Sequence, residues 1–90
     1  MLIPIYEKRF SKEVQKAQKR GKDMEKLKDI IQSLLNKKAL PIKNRNHKLK
    51  GNFKDYWECH IEPDWLLIYK ITSTEVIFSR TGSHADLFNQ

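Results

Sequence analysis

The sequence predicts an α+β fold: an N-terminal strand and a basic helical hairpin packed on a small antiparallel sheet, closed by a short C-terminal helix. Three observations carry this. Apolar residues recur at helical spacing from Tyr6 to Leu35, the period changes to two at Trp57, and turn-forming residues punctuate the second half as a three-strand meander requires.

"LIPIY" reads as a short strand, and Pro4, which cannot donate to a ladder, marks it as an edge or a bulge. From about Glu7 to Arg20, the spacing Tyr6, Phe10, Val14, Ala17 makes one apolar stripe, with Lys8, Arg9, Lys12, Lys16, Lys19 and Arg20 around the remaining surface. Gly21 ends that helix. A second helix, about Lys22 to Asn36, presents Met24, Leu27, Ile30, Ile31, Leu34 and Leu35, so the two form an αα-hairpin. "KKALPIKNRNHKLKGN" is a loop, rich in asparagine and holding Pro41 and Gly51. Trp57, Cys59 and Ile61 then alternate with Glu58, His60 and Glu62 as in a half-buried strand. "EPDW" turns the chain, "WLLIYKI" is apolar on both faces like a central strand, and "TST" turns into "EVIFSRT". Ser83 is placed to cap a short final helix in "GSHADLF".

Ninety residues support one small core, so residues 1–90 are expected to make a single domain. No apolar run approaches the roughly 18 residues of a membrane helix. The N-terminus lacks the basic-then-apolar build of a signal peptide, and Cys59 has no second cysteine to pair with, which together favour the cytoplasm and no membrane. The net charge of +7 is unevenly placed: residues 1–45 carry 13 Lys or Arg against 5 Asp or Glu, residues 46–90 carry 5 against 6. All three histidines fall in the second half. A polyanion held by one half and handled by the other fits this map, and so does a solvated lysine-rich surface.

In an up-down-up meander the end of the first strand, the start of the second and the end of the third meet at one edge. His60, Asp64 and Arg80 therefore share a rim, with His84 just beyond. Three histidines, an arginine, an aspartate and several lysines suit cleavage of an RNA phosphodiester, which needs a base for the 2′-OH, a cation on the phosphate and an acid for the leaving oxygen. Histidine titrates close to neutral pH and arginine offers a planar fork of donors. Neither metal nor cofactor is required. Each residue also has a plainer reading: a histidine at a strand end is more often structural, Asp64 after Pro63 suits a turn, Trp57 and Trp65 suit the core, and Phe88 suits a C-terminal anchor. A zinc site of Cys59, His60, His47 and His84 is the rival. Neighbours on a strand face opposite ways, and no CxxC or HxxxH spacing appears, which disfavours it.

"HKLKGNFKDYWECHIEPDWLLIYKI" followed by "FSRTGSHADLF" resembles the YafQ family of bacterial toxins, within the RelE/ParE toxin superfamily, and "AQKRGKDMEKLKDII" resembles the family's basic hairpin. The resemblance covers nearly the whole chain. It implies a RelE-like microbial RNase fold and the toxin of a type II toxin–antitoxin system, a ribosome-dependent mRNA interferase that cleaves messages in the A site. It further implies a cognate antitoxin as partner, a monomer when free and a heterotetramer or larger with that antitoxin. Carried over by position, the functional histidines are His47, His60 and His84, the acidic residue Asp64, the phosphate-binding arginine Arg80 and the C-terminal aromatic Phe88. His84 and His60 lead as acid and base, Asp64 orients a histidine or the ribose, and His47 assists. Lys48, Lys50, Lys54, Trp65 and Phe88 are expected substrate contacts, and basic helices would meet ribosomal RNA. Two other readings remain: a toxin of the same fold that binds without cleaving, as in the gyrase-poisoning ParE branch, and a non-catalytic RNA-binding module.

Overall fold

In the computed structural model, which describes residues 1–88, the chain runs β1 (Ile3–Tyr6), α1 (Lys8–Lys19), α2 (Met24–Leu35), β2 (His47–Lys48), β3 (Trp57–Glu62), β4 (Trp65–Ile71), β5 (Glu75–Gly82) and α3 (His84–Phe88). Short 3-10 turns at Ile42–Asn44 and Gly51–Phe53 flank β2. The five strands form one sheet in the order β1-β5-β4-β3-β2. β3, β4 and β5 are the expected antiparallel meander. Two pairings go beyond what periodicity discloses. β1 lies parallel to β5, from Ile3 opposite Glu75 to Tyr6 opposite Phe78, the two strands being separated in the chain by the helical hairpin and the other three strands. Within the segment read as loop, His47 and Lys48 pair antiparallel with Glu58 and Trp57.

Helix ends follow local chemistry. After Arg20, Gly21 takes a left-handed φ of 81°, its N–H donates to the Gln18 carbonyl, and Lys22 N–H donates to Ala17, a Schellman closure. Asp23 then caps α2 by accepting from Glu25 N–H at 3.0 Å, so the helix starts at Met24 rather than Lys22. α2 ends by the same closure with Lys37 in the glycine position, at φ 57°.

Phe10 and Ala17 of α1 and Leu27, Ile30, Leu34 and Leu35 of α2 pack on Cys59, Ile61, Trp65, Leu67, Tyr69, Val76 and Phe78 of the sheet. Burial of this apolar surface is the main drive to fold. Leu66 and Ile68, at the alternate positions of β4, face the other side and are also buried. Two irregularities shape that second face: the β3–β4 register shifts between His60 and Glu62, and the β4–β5 register shifts so that Ser79 is the extra residue between Phe78 and Arg80. Bulges of this kind re-aim neighbouring side chains. Among the described residues, no helix is long and apolar enough to cross a membrane.

Candidate active site

The second face of the sheet gathers the histidines. His60 lies on β3 opposite Leu66, His47 joins from β2, and His84 opens α3 directly after β5. Their rings form a row: the His47 and His60 centroids are 6.5 Å apart, and those of His60 and His84 are 5.8 Å apart, edge to face.

Each ring is oriented through Nδ1. His47 Nδ1 donates to the Arg45 carbonyl at 2.7 Å, and His60 Nδ1 to the Pro63 carbonyl at 3.3 Å. A carbonyl only accepts, so the proton of the neutral ring sits on Nδ1 and Nε2 carries the lone pair. His84 Nδ1 meets Asp64 Oδ1 at 2.6 Å, which fixes the same tautomer. In each ring Nε2 is thereby the nitrogen that can take up a second proton. Asp64 Oδ1 also accepts the His84 backbone N–H at 2.9 Å, and these two bonds hold the Asp64 carboxyl below the usual aspartate range, the backbone bond foremost.

Glu58 belongs to this row and sequence reasoning passed over it. Its Oε1 lies 3.4 Å from His47 Nε2 and 3.7 Å from His60 Nε2, and the residue is only 7 % exposed. Whichever ring takes a second proton finds an acceptor there. The signal was available, since Glu58 and His60 are two apart on one strand and must share a face.

α3 is tied down on several sides. Ser83 Oγ accepts Asp86 N–H at 3.1 Å and Asp86 Oδ2 accepts Ser83 N–H at 3.0 Å, a reciprocal capping box that bears out Ser83 as the cap. Arg20 of α1 reaches Asp86 at 2.8 Å and Lys16 at 3.6 Å. The Arg20 bond, then the Ser83 N–H, drive the Asp86 carboxyl well below its ordinary range. A Cβ added to Gly82 would sit 3.0 Å from the Asp86 Cβ, so β5 approaches α3 closely here and a side chain at this position would press on Asp86.

Arg80 lies apart from the row. Its Nε donates to Glu13 Oε1 at 2.9 Å and its Nη2 to Glu13 Oε2 at 2.9 Å, and it lines a cleft of about 550 Å³ with Asp64, Arg9, Lys16, Arg20 and Lys22. Asp64 is therefore the link between the histidine row and the cationic cleft. Lys48, Lys50 and Lys54 are exposed on the segment carrying β2, with Lys48 Nζ over the Trp57 ring at 5.9 Å. Phe88 packs edge to face on Phe53, centroids 6.4 Å apart. Trp65 is 1 % exposed and its Nε1 donates to Thr81 Oγ1 at 3.0 Å, which makes it chiefly a core residue; its edge lies in the wall of the cleft that Arg80 lines, with Lys22 Nζ 5.9 Å from the ring centroid.

Cys59 is fully buried on the opposite face from His60, and burial pushes its thiol up to about 12, with the Glu58 charge adding to it. Among the described residues, no group of three or more His, Cys, Asp or Glu is placed to hold a metal ion.

The family model described as the bacterial toxin of the type II toxin–antitoxin system, YafQ, matches residues 3–89. The chain is 49% identical over 84 residues to the mRNA interferase toxin YafQ of Escherichia coli K12, covering 92% of this chain and 91% of that protein. Its structure is similar to the toxin in the E. coli DinJ-YafQ toxin-antitoxin complex, with a TM-score of 0.90 at 46% identity over 97% of each chain. It is also similar to a metal-bound toxin from Helicobacter pylori, with a TM-score of 0.92 at 37% identity over 98% of this chain and 100% of that one. The donors described above do not form a shell of the kind that would hold such an ion here. The histidines of "HKLKG", "CHIEPDW" and "RTGSHADLF", assembled on a mixed five-stranded sheet behind a basic hairpin, thus agree with the sequence match: the chain belongs to the YafQ family of bacterial toxins of type II toxin–antitoxin systems.

Proposed function

We propose that this toxin is an endoribonuclease that cleaves mRNA in the ribosomal A site by acid/base catalysis, without a metal step. The observation that supports it best is the row of three imidazoles, each anchored at Nδ1 and presenting Nε2. A base takes the 2′-OH proton, the 2′-oxygen attacks phosphorus, and an acid protonates the departing 5′-oxygen, leaving a 2′,3′-cyclic phosphate. His60 and His84, 5.8 Å apart, are close enough for one phosphodiester to meet both, and they divide these two roles. His47 is a further proton carrier or phosphate contact. Asp64 holds His84 in its tautomer and orientation, as a triad carboxylate does. Arg80 supplies charge to the phosphate. Lys48, Lys50, Lys54 and Phe88 contact the message, and the cations of α1 engage ribosomal RNA phosphates.

The whole chain acts as one domain in the cytoplasm, where ribosomes are. The E. coli relative occurs in a toxin–antitoxin complex, and we ascribe a cognate antitoxin to this toxin as well, with an acidic segment matched to its +7 charge. The test is induction in cells with 5′ ends of a reporter mRNA mapped by primer extension, comparing a translated transcript with one lacking a start codon. New ends within codons of the translated transcript alone are expected. Growth arrest with intact messages would refute cleavage. Activity lost when chelator-stripped toxin is added to ribosomes kept in magnesium would refute the metal-free chemistry.

A further inference from the structure

Arg80 is aimed by a residue 67 positions away. Glu13 of α1 accepts Arg80 Nε at 2.9 and 3.1 Å and Nη2 at 2.9 Å, and its Oε1 also accepts the Thr81 backbone N–H at 3.2 Å. The topology explains why it is there. β1 stops at Tyr6, opposite Phe78, so beyond Phe78 that edge of β5 has no strand beside it. Thr81 N–H points into this gap, and a carboxylate from α1 takes the place of the missing strand's carbonyl. The same carboxylate then reaches the side chain one residue back.

The grip is side-on. Nε and Nη2 donate to Glu13, and Nη2 also to the Asp86 carbonyl at 3.5 Å, which fixes the guanidinium plane and leaves Nη1, for which no hydrogen bond is found among the described residues. Both side chains are 16 % exposed, so the pair is shielded enough to be persistent. An arginine held this way meets a phosphate through one edge of its fork in a set direction, rather than searching for it.

We infer that Glu13 is the positioning residue of Arg80 for the phosphate; this rests on the nuclease reading given above. Glu13 touches no substrate. Its removal therefore lowers the rate of the bound complex chiefly through Arg80, and Glu13→Gln, which keeps an acceptor for the Thr81 N–H, separates that effect from loss of the Thr81 bond.

The test is single-turnover cleavage of ribosome-bound mRNA by the parent, Glu13→Ala, Glu13→Gln, Arg80→Ala and Glu13→Ala/Arg80→Ala, with thermal melts on the same preparations. Glu13→Ala should lower the rate at saturating toxin by about tenfold or more, with half-saturation changed less than threefold. Glu13→Gln, which keeps an acceptor for Thr81 N–H and Nε–H, should fall between the two and serves if the alanine variant folds poorly. In the Arg80→Ala background the Glu13 change should add less than twofold. NMR of the Arg80 Nε–H gives a readout independent of activity: slow exchange in the parent, fast in Glu13→Ala. An equal loss in both backgrounds, or a folded Glu13→Ala at the parental rate, overturns the inference. A parent that cleaves while Arg80→Ala cleaves as fast overturns the role of Arg80 and this inference with it. A parent that cuts no message overturns the nuclease reading, whereas the exchange experiment still reports whether the grip exists.

Discussion

Glu58→Gln tests the carboxylate that periodicity assigned to solvent. The substitution keeps length and an acceptor oxygen and removes the charge. Charge-assisted hydrogen bonds contribute about 1.5–3 kcal/mol against about 1 kcal/mol for neutral ones. The contacts to His47 and His60, at 3.4 and 3.7 Å, are long for hydrogen bonds, which places the difference near the lower end, about 1 kcal/mol. In the proposed mechanism one of these rings becomes an imidazolium during turnover, and loss of about 1 kcal/mol there would slow cleavage roughly fivefold. Glu58→Ala also leaves that imidazolium without an acceptor in a nearly closed site, and should cost roughly 100-fold. The assay is single-turnover cleavage with melts on the same samples. Activity in the order Glu, Gln, Ala among proteins that melt alike supports the reasoning. Parental rates in both variants would show that Glu58 only fills space between the two rings.

Three further outcomes follow from the geometry. His84→Gln and His60→Gln keep hydrogen bonding but cannot shuttle protons near neutral pH, so cleavage should drop about 100-fold or more while melting is unchanged; a folded variant at the parental rate would exclude that residue from acid/base work. Lys37→Gly, at the left-handed closure of α2 (φ 57°), should stabilise by about 0.5–1 kcal/mol, seen as a rise of roughly 2–8 °C in Tm, and a fall would contradict the strain argument. Asp86, Asp64 and Glu62 all have depressed folded pKa values, through Arg20, the His84 N–H and Lys26 first respectively, so their stabilisation is present above the unfolded carboxylate range and is lost as pH falls from that range through the lower folded values. Melts from pH 7 to 2.5 should show Tm falling below about pH 4, less steeply in Asp86→Asn, and a flat profile would refute the linkage.

What the sequence disclosed was what depends on neighbours along the chain. The hairpin, the meander and the Ser83 cap come from periodicity and turn chemistry acting over a few residues. His60, Asp64 and Arg80 were expected on one rim, with His84 just beyond, because an up-down-up connection leaves little choice; His84 does meet Asp64, whereas Arg80 turns to Glu13 in the neighbouring cleft. Glu58 was passed over for the opposite reason: alternation says which face it takes, but not that the residue is buried there between His47 and His60. Trp65 stands beside the polar turn in sequence and opens the most buried strand, which fits the core reading and leaves only its edge in the wall of the cleft. The Glu13–Arg80 pair spans 67 residues and depends on β1 ending short of β5, a relation no local pattern encodes.

The placement of His84 shows how the fold separates rigidity from chemistry. α3 has five residues, too few for a helix to persist by its own hydrogen bonds. Its first residue is nevertheless held at both its backbone N–H and its ring, because groups beyond the helix's own hydrogen bonds fix it: the Asp64 carboxylate from the β3–β4 turn, the capping box at Ser83, and the clamp of Arg20 and Lys16 on Asp86 from the end of α1. Two of these anchors come from different elements of the core, so an error in packing either α1 or the β3–β4 turn reaches His84 directly. The consequence is a site that exists only when hairpin and sheet are docked on each other, with stability and activity coupled through α3 and the core beneath it supplying the rigid frame.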